Sequence, residues 1–372
     1  MFAGFIVASQ LGIFQLAPWA LALYPAILSA KGVIGGLLSG RLGTALHLGT
    51  IYPKFFGNTK SFYKLIAALV VITLVTSVAM SSVSLIFGYL FWGITLADFP
   101  AILSVVVSTM AMGLSISLIT MKVAFASFKK GIDPDIVVYP VMSTTADILI
   151  TLCYVAVLNL FFFSDLGQLA IAIIGLAHLL LVLYIFPKNI HESDFIKTVK
   201  ESLATMMFVA VIVNITGTIL REISSFVENR ADLYTVYPAL IDTIGDVGSV
   251  VGSTATTKLA LGLLKPSFSS IRKHARNIFS AWAASIILFV VLAVLSLSIN
   301  GLFSFPAFLR LLLVLLIANV IAVVAIVIVS YGIAILTFKK GLDPDNFVIP
   351  IESSFADSAM TIALLVALVL VG

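Results

Sequence analysis

Five carboxylates stand inside long apolar runs: Asp147, Asp242, Asp246, Glu352 and Asp357. An ionisable side chain at mid-bilayer costs roughly 2.5–3.5 kcal/mol on insertion scales, so an intramembrane acid is by default a functional-site hypothesis. The competing reading is a protonated acid bonded to a neighbouring helix as glue. Five acids with no Lys or Arg comparably deep favour a bound cation. Asp147 and Asp357 each lie fourteen residues beyond the first aspartate of a repeated string, FKKGIDPD at 128–135 and FKKGLDPD at 338–345. At the helical rise this is about 21 Å from the string, and Asp246, eight residues after Pro238, lies about 12 Å from the opposite end. Across a hydrocarbon core of ~30 Å these depths meet. Asp147, Asp357 and Asp246 are therefore expected to face one another at one level around a central axis.

Hard divalent cations take oxygen ligands, and Mg²⁺ keeps several waters while using one or two carboxylates. Ser143 and Thr144 precede Asp147 by four and three residues, on its helical face, and Ser353 and Ser354 stand likewise before Asp357. With Asp242 and Glu352 these complete the candidate metal ligands. No His or Cys accompanies them, which argues against a dedicated zinc or copper site. The four histidines are assigned no role. The single cysteine, Cys153, excludes an internal disulfide and a cysteine cluster.

The elements that must position these acids follow from composition. The 372 residues are 61% hydrophobic and 10% charged, with a mean hydropathy of +1.20. Soluble domains carry about 25% charged residues, so the solvent of this chain is the lipid bilayer. The apolar runs are long enough for membrane-crossing helices and lack the alternation of a transmembrane barrel. They lie near 2–22, 25–49, 63–96, 100–129, 134–163, 166–187, 200–228, 236–263, 276–299, 305–338 and 343–371, about eleven spans in an all-α polytopic membrane protein. With the first span starting in the cytoplasm, seventeen of the 21 Lys and Arg fall at cytoplasmic ends; Lys31, Arg221, Arg230 and Arg310 do not. That bias puts the amino terminus inside and the carboxyl terminus outside. The opening residues lack a basic segment and a cleavage site, so no signal peptide is expected.

Three pairs of segments recur in order: YPAILSAKGVIGG at 24–36 with YPALIDTIGDVGS at 237–249, FPA at 99–101 with FPA at 305–307, and the two FKKG[IL]DPD strings. The chain reads as two five-helix repeats, 1–163 (short at its start) and 198–372, joined by a linking helix and cytoplasmic linker at 164–197. Five spans leave a repeat's ends on opposite sides, so the sixth restores orientation. The repeats are then parallel, related by a pseudo-twofold axis along the membrane normal, with a pathway between them. Such an internal pseudo-dimer lets a monomer form a complete pathway. The repeated string itself reads as a helix start, with Asp133 and Asp343 as N-caps, Pro134 and Pro344 at the first helical position, and Asp135 and Asp345 on the helix dipole. Glycines recur at 32/245, 35/248 and 49/262. They fit either close packing or a locally unwound helix lining a cavity.

Together these residues resemble the transmembrane domain of the MgtE family of magnesium channels. The resemblance rests on the glycine-rich second helix and on DPDIVVYPVMSTTAD and DPDNFVIPIESSFAD in the fifth helices. The tandem form, with an extra helix between two five-helix domains, resembles the solute-carrier family 41 proteins, to whose first repeat SAKGVIGGLLSGRLGTA is similar. The resemblance implies passage of Mg²⁺ or another divalent cation between the repeats. It places the family's pore aspartate on Asp147 and Asp357, and the polar residue of its second helix on Asp246 and Val33. No cytoplasmic sensor precedes the membrane domain, so gating by such a sensor is not expected. Channel, exporter and sodium-coupled Mg²⁺ exchanger all fit the tandem relatives. The reading is of a transporter, not an enzyme, with lipid and divalent metal ions as partners and no nucleic acid. An intramembrane aspartyl protease would need a paired-aspartate dyad, but the glycine-rich segment here reads TIGD. An organic-solute transporter shares only the repeats.

Overall fold

The computed structural model describes residues 2–47, 49–132, 134–226, 230–260, 262–341 and 347–371. Three short helices open the chain: α1 (Phe2–Ser9), α2 (Leu11–Phe14) and α3 (Pro18–Ala22). Ten long helices follow among the described residues: α4 (Tyr24–His47), α5 (Lys60–Phe87), α6 (Phe99–Lys129), α7 (Pro134–Phe163), α8 (Asp165–Asn189), α9 (Ser193–Phe226), α10 (Ala231–Ala260), α11 (Ile271–Ile299), α12 (Phe305–Lys339) and α13 (Val348–Val371). The shortest has 24 residues, which at the helical rise is about 36 Å. The protein is an all-α polytopic membrane protein, and among the described residues nine helices are long and apolar enough to cross a bilayer. The long helix outside that set is α10, which carries Asp232, Asp242, Asp246 and Lys258.

The apolar stretch 2–22 is not one span, contrary to the hydropathy reading. It breaks at Gln10 and again at Ala17, whose backbone is extended with φ −141° and ψ 140° ahead of Pro18. Proline has no N–H to donate and forces the preceding residue out of the helical region. From α4 to α12 each long helix falls on one of the expected apolar runs. For α7 the start is Pro134; Asp133, residues 342–346 and the side chain of Asp135 lie outside what is described, and with them the capping roles expected of the repeated string.

The contacts gather the chain into two units. One contains Gln10–Asn214 (the N-unit); the other contains Met1–Ser9 with Ile215–Gly372 (the C-unit). Each unit uses the same scaffold. In the N-unit α4 packs on α6 and α7, and α6 on α5 and α7; in the C-unit α10 packs on α12 and α13, and α12 on α11 and α13. Equivalent residues make equivalent bonds. Tyr24 Oη pairs with Thr151 Oγ1 at 3.0 Å, and Tyr237 Oη with Thr361 Oγ1 at 2.7 Å. α6 and α12 end alike, at Gly131 and Gly341 with φ of 71° and 67°, a left-handed turn that glycine adopts without steric cost. Equivalent helices thus pack alike in the two units.

Within the N-unit α8 bonds to its neighbours through Ser108 Oγ, which donates to Ile171 O at 2.8 Å, and through His178 Nε2 against Val70 O at 3.1 Å. Its remaining faces expose Leu166, Leu169, Ile173, Leu176, Leu180 and Leu183, as a lipid-facing helix should. In the C-unit, His274 is fully buried, stacked on Tyr331, and lies 3.1 Å from Thr254 Oγ1. It ties α10, α11 and α12 together, a structural role that the sequence left unassigned.

The helix α1 packs on α10 within the C-unit. A Cβ on Gly4 would strike the backbone of Tyr234 and Thr235, atoms that cannot rotate away. Gly4→Val is expected to lower the thermal midpoint of the purified protein through overpacking of about 1–3 kcal/mol. Scanning fluorimetry checks this, and an unchanged midpoint would remove α1 from the packed fold.

Candidate functional site

In the C-unit, α10 brings Asp242, Asp246 and Ser249 onto one face by their spacing of four and three residues. The helix starts from a built corner: Arg230 donates through Nε and Nη2 to Asp232 at 2.8 and 2.7 Å, and Asp232 is itself buried. It continues unbroken from Ala231 to Ala260, so the unwound-helix reading of the glycines fails here. The glycines serve close approach instead. A Cβ on Gly248 would lie 2.5 Å from Glu352 Oε1 and 2.6 Å from Ile326 Cγ1, and one on Gly252 would lie 2.5 Å from Val348 Cγ1. Small residues here let α13 and α12 settle against the backbone of α10.

That approach lays Glu352 on α10. Its side chain is 0% exposed. Oε2 accepts a hydrogen bond from Ser249 Oγ at 3.2 Å, and among the described residues Oε1 has no hydrogen-bond partner. Buried polar atoms are almost always satisfied, and an exception marks strain, function or a missing ion. The charges of Asp246 and Asp357 both act on Glu352, and that of Asp242 acts on Asp246. Asp357 is 7% exposed, Asp242 half-buried and Asp246 exposed, so the acids grade from an accessible position to a sealed one. The backbone of Asp357 is held by Thr361, whose Oγ1 donates to Asp357 O at 2.6 Å. The next residue, Ser358, pairs its hydroxyl with Thr216 of α9. Of the expected serines, Ser354 is buried and Ser353 half-buried.

In the N-unit, α7 carries Asp147 and Ser143, both half-buried, and Thr144, which is exposed. The basic residue in this unit corrects an expectation. Lys31, read as an outer-end charge, is 3% exposed within α4. It lies six residues after Pro25, about 9 Å along the helix, and so is comparably deep to the acids. Cys153 of α7 lies within its electrostatic reach, and its aliphatic stem lies alongside Gly113 of α6.

The structure therefore brings Asp242, Asp246, Glu352 and Asp357 into one electrostatic group in the C-unit and adds Ser249, which the sequence reading missed. The signal available for Ser249 was its place one turn beyond Asp246. Among the described residues, no three His, Cys, Asp or Glu side chains already converge closely enough to hold a metal ion. With its waters retained, Mg²⁺ does not require such convergence. What the group offers is a run of hard oxygens, at least one of them unsatisfied, and no soft ligand.

A family model described as MgtE, divalent cation transporter, matches residues 24–157 and again residues 237–367. No curated protein and no solved structure matches the chain.

Proposed function

The chain belongs to the MgtE family of divalent cation transporters, and from that premise we propose that it carries Mg²⁺ in preference to other divalent cations, past its intramembrane carboxylates. The observation that carries this reading is Glu352, fully buried with an unsatisfied Oε1 beside the charges of Asp246 and Asp357. Burying an ionised carboxylate costs several kcal/mol unless it is paired, and the described residues offer this group no base. A hydrated, hard divalent ion fits: it takes oxygen ligands and keeps waters that reach the carboxylates it does not touch directly. Asp147, Ser143 and Thr144 in the first repeat, and Asp357, Ser353 and Ser354 in the second, supply oxygens at equal depth.

In this reading the repeats run from 1 to 163 and from 198 to 372, joined through α8, and one chain suffices for transport. The lysines at the α6–α7 and α12–α13 turns face the cytoplasm, with the carboxyl terminus outside. The test is divalent flux into proteoliposomes of purified protein. Mg²⁺ is expected to enter faster than Ca²⁺, Mn²⁺ or Co²⁺, and a sodium gradient separates an exchanger from a channel by whether it changes the rate. Flux no greater than in protein-free liposomes would overturn the proposal.

A further inference from the structure

The two repeats align closely enough to compare the site position by position. The anchors are the YPA segments and the DPD strings, and the paired Tyr–Thr bonds fix the register in space. On that register Asp357 matches Asp147, but the other acids of the C-unit have no acidic counterpart. Asp242 matches Ser29, Asp246 matches Val33, and Glu352 matches Met142. Next to Val33 the N-unit carries Lys31, where the C-unit has Ile244. At these aligned positions the second repeat has four acids and no base, and the first has one acid and one buried base.

Packing carries the same asymmetry. Gly248 is pressed by Glu352, whereas a Cβ on its counterpart Gly35 would meet nothing within 4 Å. Met142 is buried and brings a thioether, a poor ligand for a hard cation. Lys31 brings a buried amine, 3% exposed, to a place where Coulomb interactions are weakly screened. In the C-unit the unsatisfied Glu352 Oε1 is fully buried over Gly248 of α10, its Oε2 takes the Ser249 hydrogen bond, and the position equivalent to Lys31 is the apolar Ile244.

We propose that each chain binds one divalent cation at equilibrium, within the C-unit on Glu352, Asp246 and Asp357, and that Lys31 stands in for a cation in the N-unit. This rests on the transport reading above and deepens it: the first repeat lends its half of the scaffold without holding a second ion. Asp147 then acts on an ion in transit rather than as an equilibrium ligand.

The experiment is Mn²⁺ binding to the full-length purified protein in nanodiscs, read by the loss of the free-ion electron paramagnetic resonance signal and reversed by Mg²⁺. The parent is expected to bind one Mn²⁺ per chain. Glu352→Gln is expected to weaken binding by about tenfold or more, as loss of a ligand or its support does. Asp246→Asn, at an exposed position, is expected to do the same while eluting and melting like the parent, which separates ligand loss from misfolding. Asp147→Asn is expected to keep one ion, with affinity changed by less than about threefold, well short of that loss. Met142→Glu is expected to create a second site only when combined with Lys31→Met. Two ions on the parent chain overturn the proposal, as does an Asp147→Asn loss as large as that of Glu352→Gln. A double variant that still binds one ion overturns the role of Lys31. A parent that neither binds nor transports a divalent cation overturns the transport reading itself, whereas transport with two bound ions overturns only this inference.

Discussion

Asp357→Asn is expected to lower Mg²⁺ flux into proteoliposomes by about 100-fold, equivalent to about 2.8 kcal/mol at 1.4 kcal/mol per decade. The substitution is close to isosteric and removes only the charge. The bond that holds this turn of α13 runs from Thr361 Oγ1 to the backbone oxygen of residue 357, so the helix stays anchored in the variant. The Tyr237–Thr361 pair is likewise untouched. What changes is the field felt by an ion beside Glu352 and Asp246, in a site where charges are poorly screened by water. Asp147→Asn, in a unit whose own Lys31 already contributes positive charge, is expected to cost flux less, by about tenfold, or 1.4 kcal/mol. Stopped-flow uptake with a Mg²⁺-sensitive dye trapped in the liposomes measures both. Undiminished flux in both variants would remove the carboxylates from the pathway.

The second large effect concerns packing. Gly248→Val places branched carbon where Glu352 Oε1 and Ile326 Cγ1 already stand 2.5 and 2.6 Å from a single added Cβ. Both neighbours sit on long helices, α13 and α12, that pack on α10 along much of its length. Relief requires either a shift of a helix or a rotation of Glu352 away from Ser249. The expected cost is about 3 kcal/mol, the upper range for overpacking a filled core. It should appear as a lowered thermal midpoint together with lost divalent binding. The repeat supplies the control: Gly35, the equivalent residue, has nothing within 4 Å of an added Cβ, so Gly35→Val is expected to melt within a degree or two of the parent. Equal midpoints for the two variants would refute the claim that the glycine of α10 serves the approach of Glu352.

Much of this could be read from the residues in order. Hydrophobic runs, the lysines at alternate connections and the duplicated strings are local or periodic features. They yielded the membrane class and the long helices from α4 onward. Lipid admits few solutions to the backbone hydrogen-bonding problem, so an apolar run of sufficient length has little choice but to be a helix. The stretch 2–22 failed for the same reason that the others succeeded. Hydropathy sums the transfer energy of side chains, whereas Pro18 acts on the backbone, and Ala17 turns extended although every neighbour is apolar enough to stay in a span.

The site was legible as a set of residue types but not as an arrangement. Sequence alone determined that acids stand within the long helices and that two of them, Asp147 and Asp357, are repeat equivalents. Only the tertiary structure decided that Glu352 lies sealed against Gly248 with one oxygen unsatisfied, that Ser249, 103 residues away along the chain, bonds the other oxygen, and that Lys31 is interior rather than interfacial. The physical reason is that insertion energy accumulates residue by residue along one helix. Burial and pairing depend on which helix comes to lie against it.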